Sequence, residues 1–336
     1  MAQDIEWKGY FADNDRYADI INGIGCGGRQ IVTGSDLHEL DTQIGFLSEP
    51  RLIRRRNIKK RSFKKGSRKI KIRDALRKVA FGVNFAIIGI ENQESIDYSG
   101  PLRNMAYDVG EYEKQAAKIR REVRKKSKGL RRGEYLYGFL KESRMHPVVT
   151  FFLYSGVEEW DGPESLYEMI DFTDIPEKII GMVPDYRINL VEIRKLKDTS
   201  VFKTDVRQVF DFIRCSEDKK ALEKLVESDE YYSNMEEDAY DIVVNYTNAS
   251  ELVEAKDYYT GKDGKVDMCK AIKELIEDGR EEGRIKGREE GREDGLRALV
   301  ISLSLLLPDS DTVYQAVIKN EDYSDISKEQ VMKYYR

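Results

Sequence analysis

The chain is expected to fold as an α/β domain on a mixed central sheet, followed by a helical C-terminal extension. Three observations predict this. Apolar runs of strand length occur at 83–90 and 147–155. A long segment of helical period separates them, as a crossover between neighbouring strands requires. Beyond residue 200 helical spacing dominates.

The elements follow in order. Residues 15–24 read as a short helix, with Asp15 as N-cap and Tyr17, Ile20, Ile21 and Ile24 on one face. Gly25-Cys26-Gly27-Gly28 ends it. Without Gly-Lys-Ser/Thr this cluster is a helix stop rather than a phosphate loop. Asp19 on this helix is either a solvated residue or a further carboxylate for a site. Residues 50–73 are basic and run into a strand at Ile70-Lys71-Ile72-Arg73. The strand 83–90 comes next. Met105, Val109, Tyr112, Ala116 and Ile119 then mark a helix from Pro101 to about Lys126, with cationic last turns. His146 to Gly156 is a buried strand closed by glycine, and Tyr186 to Ile193 alternates as another. Helices are expected at 206–214, 219–227 and 236–244.

Glycines at 279, 283, 287, 291 and 295 drift slowly around a helix and form a stripe. Each costs about 1 kcal/mol in a helix interior, so five need compensation. Close approach of a partner helix would provide it, flanked by Arg280, Arg284, Arg288 and Arg292. The other reading is a flexible charged linker. Two short helices broken at Pro308 complete the chain.

Composition narrows the chemistry. The 336 residues are 40% apolar and 35% charged, with a net charge of −5. The charge is segregated: residues 51–73 hold 13 Lys or Arg and no acid, whereas residues 217–257 hold 13 Asp or Glu against four Lys. Two histidines, His38 and His146, argue against His-rich metal sites and a Ser-His-Asp triad. Chemistry must rest on carboxylates, amides, hydroxyls, Lys and Arg. Oxygen ligands suit Mg²⁺, Mn²⁺ or Ca²⁺. Three scattered cysteines suit a reducing cytoplasm. No signal peptide is expected after Met1. The apolar stretch at 299–307 is too short to span a bilayer.

The strand from Val83 ends in Glu91-Asn92-Gln93, which puts Glu91 and Gln93 on one face. A tight hairpin at Gly82-Val83 would set Asp74 directly opposite Glu91. Two carboxylates so placed could share a divalent cation. On spacing alone, strand-end residues such as Glu91 and Gln93 are more often solvated than ligands.

Several segments together resemble the recombination-promoting nuclease (Rpn) family, also catalogued as YhgA-like transposases, of the PD-(D/E)XK nuclease superfamily. They are Tyr17-Ala18-Asp19-Ile20-Ile21-Asn22, Arg73-Asp74, Ile88 to Gln93, Tyr107 to Gln115, Leu153-Tyr154-Ser155-Gly156, Tyr186 to Leu190 and Phe202-Lys203-Thr204-Asp205. Their order and spacing carry the resemblance over roughly residues 10–300. It implies an αβββαβ core hydrolysing DNA phosphodiesters with Mg²⁺. Asp74 and Glu91 would hold the metal, and Gln93 would stand where the superfamily usually has Lys. Gln93 can orient water but cannot supply positive charge, so a second metal, Lys71, Arg73 or Lys114 would compensate. Tyr112 and Gln115 would support the phosphate or the metal-bound water. Arg54, Arg55, Arg56, Lys59, Lys60, Arg61, Lys64 and Lys65 would face the DNA backbone, or else form a solvated loop.

The implied organisation is a nuclease-like domain at 1–215 with the basic insertion 51–73, an acidic helical region at 216–266, and a Gly-repeat helix with C-terminal helices at 267–336. Self-association is expected through residues 267–300. The expected function is a metal-dependent DNA endonuclease acting in recombination. The alternative is a DNA-binding or assembly protein with an inactive core. Cut-and-paste transposition would require three well-separated acids and a DNA-recognition module, and neither is evident.

Overall fold

The central sheet is organised by one hairpin. In a computed structural model, residues 2–47, 68–72, 74–82, 84–125, 129–247 and 249–335 are described, with side chains except at 2–5, 43–47, 68–72 and 250. The strands are β1 (Leu37–Glu39), β2 (Gln43–Leu47), β3 (Arg68–Ile72), β4 (Ala75–Phe81), β5 (Asn84–Gln93), β6 (Val148–Tyr154) and β7 (Asn189–Glu192). β4 and β5 pair antiparallel, from Ala75↔Ile90 to Phe81↔Asn84. Two residues separate them, and Gly82 takes φ +63°, a left-handed conformation that glycine adopts without a Cβ clash.

The five-stranded sheet runs β1-β4-β5-β6-β7. β1, β4 and β5 are antiparallel neighbours, and β6 and β7 continue parallel to β5. Ala86 to Asn92 of the central β5 are continuously buried, which explains its unbroken apolar run. β2 and β3 form a separate two-stranded sheet, inserted between β1 and β4.

The helices are α1 (Ala2–Tyr10), α2 (Asn14–Ile20), α3 (Gly100–Lys125), α4 (Arg132–Tyr137), α5 (Glu177–Ile180), α6 (Val206–Cys215), α7 (Lys219–Ser228), α8 (Glu237–Val244), α9 (Ser250–Glu254), α10 (Lys256–Tyr259), α11 (Met268–Ser304), α12 (Ser310–Val317) and α13 (Lys328–Met332). Asp13, not Asp15, caps α2: its carboxylate accepts from the N–H groups of Asp15 and Arg16. The chain continues from α2 as one wide turn over Ile21–Gly25. A Cβ on Gly23 would stand 2.3 Å from the Phe202 ring, so the glycine permits this approach.

α3 is the crossover between β5 and β6. It is tied to β6 by the Thr150 hydroxyl, which donates to Asp108 at 2.8 Å, and by the Val148 N–H, which donates to the Tyr112 hydroxyl at 3.1 Å. Its apolar face differs from the expected one. Val109 is 45% exposed, while Asn104, Tyr107, Asp108 and Glu111 are buried. The sheet-facing side of α3 is therefore largely polar.

The chain divides into two compact units, residues 1–268 and 269–336. The acidic residues 217–257 belong to the first, where α8 packs on α1 and α6. Arg16 is the ionic tie: it forks onto Asp205 at 2.8 and 2.7 Å and also binds Asp238. In the second unit Leu296, Val300, Val313, Val317 and Val331 form a core, and Tyr323 lies against Gly295. Gly279, Gly283, Gly287 and Gly291 have open space where a Cβ would be.

Candidate active site

The β4–β5 register brings two carboxylates to one end of the central sheet. Continuing it one step past Ala75↔Ile90 sets Asp74 across from Glu91, as the predicted hairpin requires. The Asp74 carboxylate accepts from the Asn92 N–H at 3.0 Å, which holds it at the strand end. The Lys8 ammonium of α1 is 3.7 Å from its other oxygen.

Glu91 is buried beneath the first turns of α3. Tyr107 donates its hydroxyl to Glu91 at 3.3 Å, and the Arg103 guanidinium stands 3.6 Å from the same oxygen. Arg103 also pairs with Asp97 at 3.2 Å and lies over the Phe152 ring. Burial raises the Tyr107 pKa, and the charges of Glu91 and Asp74 raise it further against the opposing pull of Arg103. Both acids thus act on one phenol, which stays neutral and donating through ordinary pH.

Some buried donors here lack acceptors among the described residues. Nε and Nη2 of Arg103 and both amide atoms of Asn104 make no hydrogen bond, although Nη2 is the nitrogen that stands 3.6 Å from Glu91. Asn104 is 1% exposed. A buried donor without an acceptor is costly, and functional sites are one place where such groups persist. Negative charge on the strands beside unspent donors on α3 could hold a cation and an anion side by side.

The other predicted residues fall elsewhere. Gln93 shares the Glu91 face by strand alternation, but its amide turns back to donate to the Asn92 carbonyl at 2.7 Å. Asp19 is buried, not solvated, and one of its oxygens accepts from the Lys203 N–H, the Thr204 N–H and the Thr204 hydroxyl at 2.7–2.8 Å. It fastens the loop ahead of α6. Tyr112 receives the Val148 N–H, and Gln115 makes a two-way amide clasp with the His146 backbone at 2.7 and 3.2 Å. These two position the entry to β6 rather than Glu91. Lys114 is spent on Glu111 and on the Asp41 carbonyl. The Lys71 side chain, Arg73, and the basic residues Arg54, Arg55, Arg56, Lys59, Lys60, Arg61, Lys64 and Lys65 lie outside what is described.

No family model matches this chain, and no curated protein or solved structure is similar to it.

Among the described residues no three His, Cys, Asp or Glu side chains converge as a metal cluster. In donor type alone the carboxylates of Asp74 and Glu91 suit a hard cation, since Mg²⁺ takes oxygen ligands and is commonly bound by one or two carboxylates. Sequence reasoning missed Lys8, Arg103, Asn104 and Tyr107. The available signal was Asn104, Tyr107, Asp108 and Glu111 at i, i+3, i+4 and i+7, a polar stripe on a helix that must cover a sheet.

Proposed function

We propose that the protein is a metal-dependent endonuclease hydrolysing DNA phosphodiester bonds, with a PD-(D/E)XK-like αβββαβ core. The observation that carries this reading is Asp74 held at the strand end one register step past Ala75↔Ile90, across from Glu91 and its partner Arg103. Asp74 and Glu91 would hold Mg²⁺, with Mn²⁺ or Ca²⁺ as substitutes. Bound there, the ion supplies a water of lowered pKa and polarises the scissile phosphate.

The chain's own residues do the rest. The Arg103 guanidinium, paired with Glu91 and Asp97, would bring to the site the positive charge that Gln93 lacks. Tyr107 keeps Glu91 oriented, and Lys8 balances Asp74. The basic segment 51–73 neutralises the DNA backbone without reading bases. Residues 267–300 join two copies through the glycine stripe of α11. A sedimentation mass of 39.0 kDa for the full chain would remove that last element.

The test is nicking of supercoiled plasmid in Mg²⁺, Mn²⁺ or Ca²⁺. We expect nicking that disappears in Glu91→Ala and in Asp74→Ala. Plasmid left intact in every metal but retarded on a gel would favour a DNA-binding protein with an inactive core. The turned-back amide of Gln93 is the observation on that side.

A further inference from the structure

We propose that the C-terminal end of α3, together with α4, is a second nucleic-acid contact that takes a single-stranded segment. This goes beyond the nuclease reading and does not depend on cleavage.

An open cleft of about 480 Å³ is lined by Ala117, Arg120, Arg121, Arg124 and Lys125. All five are exposed, and among the described residues no carboxylate lines the cleft. Their spacing puts them on one helix face. Cations in a last helical turn are favoured by the helix dipole alone. That accounts for Arg124 and Lys125 but not for Arg120 and Arg121 one turn earlier.

The second observation is aromatic. Tyr135 and Tyr137 of α4 are 70% and 71% exposed. Gly138 ends α4 in a left-handed conformation, its N–H donating to the Glu134 carbonyl at 2.8 Å. The next residue, Phe139, lies under the Arg120 guanidinium at 5.4 Å, which joins α4 to the cleft. A single strand would use both features: its phosphates take the cations and its exposed bases stack on the uncovered tyrosines. A duplex, with its bases already stacked, needs only the cations.

The placement is specific. Arg103 and Arg120 lie on the same helix, about 25 Å apart at 1.5 Å per residue. A strand laid along α3 would cover that distance with about seven nucleotides at 3.4 Å each.

The experiment uses the full chain in EDTA, which prevents metal-dependent cleavage. Fluorescence anisotropy would be read with a labelled 20-mer of dT, with a 20-base-pair duplex, and against vesicles of phosphatidylcholine with phosphatidylserine. Arg121→Gln/Arg124→Gln/Lys125→Gln should weaken dT binding about tenfold or more. It should also flatten the slope of log K against log salt by about 2, at roughly 0.7 per cation. Tyr135→Ser/Tyr137→Ser should weaken dT binding about tenfold and leave duplex binding as it was. All five side chains are exposed, so circular dichroism and melting should match wild type.

Native dT affinity in either variant overturns the proposal. So does equal loss of duplex and dT binding in the tyrosine variant, or binding by the native chain to the anionic vesicles alone. Absent nicking with these binding losses intact would reject the nuclease reading and keep this one.

Discussion

Arg16 and Arg103 each stand against two carboxylates, and their surroundings use them in opposite ways. Arg16 forks onto Asp205 at 2.8 and 2.7 Å and reaches Asp238 with its remaining nitrogen. Asp205 is further held by the hydroxyls of Tyr10 and Tyr231, at 3.2 and 2.8 Å. Arg103 stands 3.2 Å from Asp97 and 3.6 Å from Glu91, and two of its buried nitrogens have no acceptor among the described residues. The first cluster is saturated, so it can only bind the fold together. The second is looser, with buried nitrogens that make no hydrogen bond among the described residues.

The comparison can be broken most forcefully at Arg16. Arg16→Met leaves Asp205 buried without its cation and should cost about 3–5 kcal/mol of folding stability. Urea unfolding reads this. Nicking per folded molecule should stay as in wild type. A midpoint that does not move would show that the saturated cluster is decoration.

Arg103→Met should do the reverse. Nicking should fall about 10²–10³-fold, the loss typical of removing one donor to developing charge. The urea midpoint should fall less than in Arg16→Met, because the pair with Glu91 is long at 3.6 Å and Asp97 is partly exposed. Gln93→Lys added to this variant should recover part of the rate. Loss of stability with unchanged nicking would make Arg103 a second Arg16.

The gentlest test is alkaline pH. Burial raises the pKa of Tyr10 and Tyr231 beside Arg16 and of Tyr107 beside Arg103, in each case above the ordinary 10.0. The unfolded chain therefore loses these protons first. Stability should be fully present below about pH 10 and decline as pH rises above it. Tyr107→Phe should make that decline shallower, and a midpoint insensitive to pH between 9 and 11 would contradict the assignment.

The parts of the fold legible in sequence were those set by period and turn chemistry. Gly82-Val83 and the alternation of 83–93 were enough to place Asp74 across from Glu91, because a two-residue turn leaves one register. Helices α6 to α8 were legible from their spacing. The supporting shell was not. Period alone cannot tell a polar face that covers a sheet from one that faces water, so Asn104 and Tyr107 passed unnoticed while Tyr112 and Gln115 were overvalued. Asp19 looked solvated because its partners, Lys203 and Thr204, are remote in sequence. The acidic stretch 217–257 looked like a separate appendage because composition does not reveal which helix α8 packs against.

The β2–β3 pair has an evolutionary consequence. Leu47↔Arg68 pins both ends of segment 48–67 together outside the five-stranded sheet. Changes of length between Leu47 and Arg68 need not propagate into β4 and β5, since the β2–β3 pair lies outside their sheet. Descendants of this chain could therefore vary that stretch while inheriting the β4–β5 hairpin unchanged.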